Sequence, residues 1–157
     1  MTTAIAHAFQ DLGGMTFRPG NGKCVITDPC YVFPDEMWSD LCERIFCREG
    51  SYPYGVIEMD GFKIWWGLTA HGDGSYRVMS KHKGPLGTFC VDAGMFGIFP
   101  LAFVEKYAPE FLARKDDGLY TIVETKEHYV TKYSDGNMEC GAISVNTDDD
   151  GDEEVDD

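Results

Sequence analysis

The sequence contains no long apolar run, and no stretch approaches the roughly 18 consecutive apolar residues that a membrane-spanning helix requires. Its N-terminal segment, residues 1–14, also lacks the basic residues and the long apolar stretch of a secretory signal peptide. These two absences predict a cytoplasmic protein with no membrane partner.

Cysteine pairs at metal-binding spacing are missing as well. No two of the six cysteines form a CxxC motif, which is the spacing typical of structural zinc sites. Without a secretory context, disulfide bonds are not expected either, and the cysteines should be free thiols. The sequence therefore predicts no metal site and no cofactor. The six positions are Cys24, Cys30, Cys42, Cys47, Cys90 and Cys140.

The common short catalytic and nucleotide-binding motifs are also absent. The chain has no GxSxG nucleophile turn, no Walker A loop, no GxGxxG dinucleotide loop and no HExxH zinc motif. Enzymes without these motifs exist, so the absence lowers the expectation of catalysis without excluding it. The sequence favours a protein that is not an enzyme.

Basic residues are scarce, with 13 Lys and Arg against 27 Asp and Glu and a formal net charge of −14. Eight of the acids lie in residues 148–157, where Val155 is the one apolar side chain. Such a segment cannot bury enough surface to offset its ordering entropy. We predict a globular domain, 1–146, and a disordered acidic tail, 147–157. The negative field argues against direct nucleic-acid binding and favours a basic protein partner, such as a nucleic-acid-binding enzyme.

Apolar residues make up 43% of the chain and aromatic residues 13%, which is enough for the core of a single domain. The best helix signal covers 34–48, where apolar residues recur at helical spacing behind a proline. Asp60-Gly61 lies between two β-type runs and predicts a hairpin turn. Further short β-type runs continue to 138–145, interrupted by a short helix over 101–107. These patterns predict an α+β fold with a mainly antiparallel, strongly curved or partial-barrel sheet, one long helix and one short helix.

Three short stretches have a polar turn character that sets them apart. They are ITDPCY at 26–31, HGDGSY at 71–76 and VDAGMFGI at 91–98. Together they resemble a group of uncharacterised bacterial and phage proteins, of the domain-of-unknown-function type, that share ITDPCY, GDGxY and VDAGxxGI-like segments. The resemblance covers residues 23–101. It implies a β-rich fold and a phage or mobile-element origin, and it brings no established activity.

The first and third stretches also resemble each other, because each runs from a β-type segment through an aspartate into a turn. This pattern suggests an internal repeat that places Asp28 near Asp92. Paired carboxylates can share a proton and activate water, whereas an aspartate in a turn more commonly caps the backbone. Cys30 is a candidate nucleophile with His71 or His82 as its base, although a spectator thiol is the more common case. The catalytic candidates are therefore Asp28, Cys30 and Asp92.

The second stretch is a glycine-rich turn that carries His71 and Asp73. Its glycines allow close approach of a ligand to the backbone, or simply a tight turn. His71, Asp73 and His82 could together hold a metal ion, but their spacing matches no standard site.

Two adjacent tryptophans, Trp65 and Trp66, should point to opposite faces of a strand. If one faced outward near Tyr52 and Tyr54, it would form a contact patch of the kind that protein interfaces favour. The alternative is a sheet that is buried on both faces.

We therefore predict a small acidic cytoplasmic binding or inhibitor protein, of the phage anti-defence or toxin-immunity type, that acts on a basic partner. One alternative is a small hydrolase or metal-dependent enzyme that uses Asp28, Cys30, His71, Asp73 and Asp92. Another is a structural or accessory protein of a phage particle. The predicted binding residues are Asp28, Tyr31, Trp65, Trp66, His71, Asp73, Tyr76 and Asp92.

Overall fold

A computed structural model describes residues 6–8, 19–46 and 54–147, and within these ranges eleven strands form two antiparallel sheets. The strands are β1 (Ala6–Ala8), β2 (Gly22–Thr27), β3 (Tyr54–Met59), β4 (Phe62–Leu68), β5 (Gly74–Ser80), β6 (Gly84–Val91), β7 (Met95–Pro100), β8 (Thr121–Thr125), β9 (Thr131–Ser134), β10 (Asn137–Cys140) and β11 (Ile143–Asn146). The helices are α1 (Asp35–Phe46), α2 (Leu101–Tyr107) and α3 (Pro109–Leu112), with short 3₁₀ turns at Pro29–Tyr31 and Lys115–Asp117. None of the described helices is both long and apolar enough to cross a membrane.

The molecule has three layers, because one sheet lies between the helices and the other sheet. The inner sheet has the strand order β1-β3-β4-β7-β2-β8, and the outer sheet has the order β6-β5-β11-β10-β9. On one face of the inner sheet, Trp66 shares a core with Leu41 and Phe103 of the helices. On its other face, Trp65 shares a second core with Val78 and Val145 of the outer sheet. The inner sheet is therefore apolar on both faces, which is why β7 is buried over nearly its whole length.

The predicted β-rich, mainly antiparallel fold is confirmed. The strands lie in two packed sheets, however, and not in the single sheet that the sequence suggested. Helix α1 begins at Asp35 and ends at Phe46, and the remaining predicted residues, 47 and 48, lie outside the described ranges. Helix α2 has the bounds predicted for the short helix. It is followed by the single turn of α3, which Pro109 opens.

Two hairpin turns have the backbone geometry that their sequences predict. Asp60 and Gly61 join β3 to β4 with φ of 56° and 83°, and Asp135 and Gly136 join β9 to β10 with φ of 51° and 93°. Positive φ at both central residues is the signature of a type I′ turn, which the Asp-Gly pair favours. The single strand predicted over 138–145 is wrong, because Gly141, with φ of 60°, turns the chain between β10 and β11.

The C-terminal end of the described chain is Thr147, which is fully buried. Its hydroxyl accepts a hydrogen bond from the Ala70 N–H at 2.9 Å and donates one to the Gly136 carbonyl. Thr147, the first residue of the predicted tail, is therefore held by residues of two loops of the described chain. Residues 148–157, which hold the acids of the predicted disordered tail, lie outside the described ranges.

Candidate functional site

Asp28, at the end of β2, connects the first and third motif stretches. Its side chain is fully buried, and its carboxylate accepts three backbone hydrogen bonds. Oδ1 accepts from Cys30 N–H at 2.8 Å, and Oδ2 accepts from the N–H groups of Asp92 at 2.8 Å and Ala93 at 2.7 Å. The structure thus brings Asp28 and Asp92 together, as the internal repeat predicted.

The chemistry of this contact is that of a turn cap and not of a catalytic pair. Both oxygens of Asp28 are engaged by backbone donors, whereas the Asp92 carboxylate accepts a hydrogen bond from the Tyr31 hydroxyl. Burial raises the pKa of Asp28 above its ordinary value, and the three N–H donors oppose that shift. Because each carboxylate is bound to a different donor, the geometry does not support proton sharing between them.

Tyr31 and Asp92 form the outer part of the same structure. The Tyr31 ring stacks on Phe111, with centroids 5.5 Å apart and planes 10° from parallel. Burial and the hydrogen bond to Asp92 raise the pKa of Tyr31, so the phenol remains a donor at neutral pH. The Asp92 side chain is exposed to solvent. Tyr31, stacked on Phe111, therefore holds the exposed carboxylate of Asp92 in a fixed position at the surface.

A second tyrosine extends this surface along α3. Tyr120 packs against Phe111 with centroids 5.0 Å apart, and its hydroxyl donates to the Leu112 carbonyl at 2.5 Å. Burial and the negative charge of Asp116 raise the pKa of Tyr120. We call Tyr31 and Tyr120, whose rings contact Phe111, together with the neighbouring acids Asp92 and Asp116, the acidic-aromatic patch. The sequence did not single out Phe111 or Tyr120, because only the fold brings α3 next to the Pro29–Tyr31 turn.

Cys30 lies in an environment unlike that of a catalytic cysteine. Burial raises the pKa of its thiol first, and the negative charges of Asp28 and Asp92 raise it further. Nucleophilic cysteines need the opposite, an electropositive environment that favours the thiolate.

His82, a candidate base for Cys30, does not lie at this site. It follows β5, whose seven residues span roughly 20 Å at 3.4 Å per residue from the end where Gly74 pairs with Val91.

This environment predicts slow alkylation of Cys30 in the native protein. At pH 8 we expect Cys30 to react with iodoacetamide at least about tenfold more slowly than after unfolding in urea, because the thiolate is the reactive form. Peptide mass spectrometry after timed quenching measures the rate at each cysteine. Rapid labelling of Cys30 in the folded chain would contradict the expectation and revive the nucleophile hypothesis.

The second motif stretch adjoins the third, so the three stretches meet at one end of the two sheets. Thr69 N–H donates to the Gly94 carbonyl at 3.0 Å, and Gly74 pairs with Val91 in the outer sheet. His71 and Asp73 are exposed in this loop. Across the part of the chain that the structure describes, no group of three or more His, Cys, Asp or Glu residues is arranged to hold a metal.

Tyr76, on β5, stabilises this loop and is not an exposed binding residue. Its side chain is 1% exposed, and its hydroxyl donates to the Gly72 carbonyl at 2.9 Å. The same carbonyl accepts a hydrogen bond from the Thr69 hydroxyl at 2.8 Å, so two side chains fix the position of the Gly72 peptide. Tyr76 therefore shapes the loop that carries His71 and Asp73.

Of the two alternatives for the tryptophan pair, the structure shows the sheet buried on both faces, so Trp65 and Trp66 are not exposed binding residues. Trp65 and Trp66 do point to opposite faces of β4, but they are only 2% and 1% exposed, because both faces of the inner sheet are covered. Tyr54 is half-buried and stacks on Tyr133 with centroids 4.8 Å apart. Tyr52 lies outside the described residues.

Two pockets lie away from the motif stretches, at the start of β2 and the end of β7. Their volumes are about 250 Å³ and about 410 Å³, and both are lined by Pro19, Cys24 and Pro100. Neither is lined by Asp28, Tyr31 or Asp92. The residues singled out by sequence therefore form a surface and not the floor of either pocket.

Comparison with known proteins leaves this geometry as the main guide to function. No protein-family model, curated protein or solved structure matches the chain. The resemblance of the three motif stretches to uncharacterised bacterial and phage proteins therefore stays a prediction.

Proposed function

We propose that this protein is a small acidic binding or inhibitor protein, not an enzyme, and that its acidic-aromatic patch docks a basic protein partner. The observation that carries the proposal is the fixed arrangement of Tyr31 and Asp92. The ring is stacked on Phe111, the hydroxyl is bound to the exposed carboxylate, and Asp28 holds the Asp92 backbone from beneath.

A patch built in this way suits protein recognition. Tyrosine is enriched at binding hot spots, and a side chain that is already fixed loses little conformational entropy when a partner docks. The exposed carboxylate of Asp92 can make a charge-assisted hydrogen bond to an arginine or lysine of the partner. The net charge of −14 adds long-range attraction, which raises the rate of association with a basic protein.

The alternative of a hydrolase or metal-dependent enzyme has less support. The two oxygens of Asp28 accept hydrogen bonds from backbone N–H groups, and the surroundings of Cys30 disfavour its thiolate.

A role as a phage structural or accessory protein is compatible with the same acidic-aromatic patch. The phage anti-defence or toxin-immunity role, the cytoplasmic location and the nucleic-acid-binding character of the partner remain predictions from sequence.

A partly closed barrel also remains a proposal, and contacts between the two sheets support it. Thr121, at the start of β8, donates from its hydroxyl to the Thr88 carbonyl of β6 at 2.7 Å. Nearby, Cys90 N–H of β6 donates to the Leu119 carbonyl at 3.4 Å. These bonds join one edge of the outer sheet to one edge of the inner sheet, as strong curvature would require.

Quantitative affinity capture from a lysate of the source cells tests the docking proposal. With the full chain as bait, we expect a protein of net positive charge to bind at low salt and to be lost at high salt. Asp92→Asn removes the charge but leaves an acceptor for Tyr31. It should weaken capture of that protein about tenfold, equivalent to about 1.4 kcal/mol.

Glu124→Gln is the matched control, because it removes one exposed negative charge from β8 and leaves the acidic-aromatic patch intact. It should retain nearly full capture. Equal losses from Asp92→Asn and Glu124→Gln would show that only net charge matters. Unchanged capture by Asp92→Asn would remove the patch from the binding surface.

A further inference from the structure

The outer sheet has one buried face and one solvent-exposed face. On β5, Tyr76 and Val78 point into the core between the sheets, so Ser75 and Arg77 point outward. The same alternation holds on β9 and β10, where Lys132 and Glu139 are exposed and directly opposed.

The β5–β6 side of the outer sheet is basic in a molecule that is otherwise acidic, whereas on the β9–β10 side Glu139 lies directly opposite Lys132. Residues 74–91 form the β5–β6 hairpin and contain no Asp or Glu, but they include Arg77, Lys81 and Lys83. Lys132 lies on the same sheet. The ion pairs of the described residues involve Lys106 with Asp60 and Arg114 with Asp117, and not these four cations. We call Arg77, Lys81, Lys83 and Lys132 the basic face.

The acidic C-terminal segment starts beside this surface. Strand β11 is the central strand of the outer sheet, with β5 on one side and β10 on the other. It leads to Thr147, whose hydroxyl is held by Ala70 and Gly136. The segment 148–157 therefore begins at a fixed point at one end of the sheet, next to the strand that carries Arg77.

The segment is also long enough to reach every cation of the basic face. Ten residues can extend about 33 Å at 3.3 Å per residue. The most distant cations lie at the opposite end of β11, where Lys81 N–H donates to the Ala142 carbonyl at 2.9 Å. That end lies roughly 17 Å from Thr147 at 3.4 Å per residue. Gly151 offers a position where the chain can reverse direction without steric cost.

From the charge, the starting point and the length of this segment, we propose that the basic face is the docking surface for the chain's own acidic segment, 148–157. Eight acids then lie against four cations that have no ion pair elsewhere in the described structure. The contact is made of exposed charges, so salt screens it within about 8–10 Å at physiological ionic strength. This contact is separate from the acidic-aromatic patch and does not depend on the proposed function.

Competitive lysine labelling of the full-length chain tests this contact. A variant with all eight acids of 148–157 changed to the matching amides keeps the length of the chain and removes its charge. In the unaltered chain at low salt, Lys81, Lys83 and Lys132 should react with an amine-specific reagent about two- to fivefold more slowly than in the amide variant, and high salt should abolish the difference. Lys63 and Lys115 lie outside the basic face and serve as internal references.

The outcomes separate the possible locations of the segment. Equal labelling of Lys81, Lys83 and Lys132 in the two proteins overturns the proposal. Protection that appears at Lys63 and Lys115 instead would place the segment elsewhere and also overturn it. Protection that grows with protein concentration would mean that the segment docks on a second copy, which contradicts the intramolecular contact. Concentration-independent, salt-sensitive protection confined to the basic face supports it.

Discussion

Replacing Asp28 with alanine is expected to lower the free energy of unfolding by about 3–5 kcal/mol. The change removes the acceptor for three backbone N–H groups, those of Cys30, Asp92 and Ala93. Leaving a buried donor without an acceptor costs roughly 1–3 kcal/mol, and partial access of water to the exposed Asp92 reduces the total. Urea denaturation followed by the fluorescence of the buried tryptophans measures the loss.

Two variants isolate the cause of this loss. Asp28→Asn keeps one acceptor oxygen in a side chain of nearly the same shape. It should therefore lower the free energy of unfolding by less than Asp28→Ala does. Asp117→Ala removes an exposed aspartate whose ion pair with Arg114 lies at the surface, and it should change stability by less than about 1 kcal/mol. A loss below about 1 kcal/mol for Asp28→Ala would contradict the structural role assigned to its three hydrogen bonds.

The second large effect is expected for Gly97→Ala, in the middle of β7. A Cβ atom there would lie 2.7 Å from the backbone oxygen of Trp65 and 3.1 Å from the Phe99 ring. Gly97 is paired with Trp66 on one side and Thr27 on the other, so the backbone cannot shift without disturbing two ladders. Overpacking of this kind costs about 1–3 kcal/mol, and we expect about 3 kcal/mol here because the obstructing atom belongs to the main chain.

Gly61→Ala separates crowding from backbone strain. Gly61 has φ of 83°, and no atom lies within 4 Å of the point that a Cβ would occupy, so its substitution strains the hairpin turn without any clash. That strain should cost about 1 kcal/mol. Thermal or urea unfolding of both variants gives the comparison. If Gly97→Ala were no more destabilising than Gly61→Ala, the close packing of β4 against β7 would not be a constraint on this sheet.

Features that depend on adjacent residues could be read from the sequence. Asp60-Gly61 predicts its own turn, because the required positive φ is a property of those two residues. The helical signal behind Pro34 is equally local, since a proline and two acids suit a first helical turn. The turn at Gly141 was missed because Gly141-Ala142 lacks the Asp that marks the Asp60-Gly61 and Asp135-Gly136 hairpins.

The candidate site was predictable only in part. The repeated pattern around Asp28 and Asp92 correctly suggested that they lie close together, but not that the contact joins a carboxylate to a backbone N–H. The stacking of Tyr31 on Phe111 had no local signal, because it joins two distant segments. The two tryptophans left two alternatives open, a contact surface or a doubly buried strand, since the sequence of β4 cannot show whether one or both of its faces will be covered.

The sequence by itself determined the Asp-Gly turns, the approximate extent of α1, the antiparallel β-rich character and the concentration of acids in 148–157, because each depends on residues that are close in the chain. Only the tertiary structure decided how the strands divide into two sheets, why Trp65 and Trp66 are both buried, and that Asp28 supports the backbone beneath Tyr31 and Asp92. The physical reason is the same in each case. Burial and hydrogen-bond partners depend on which segments pack together, and many packings are compatible with the same local pattern.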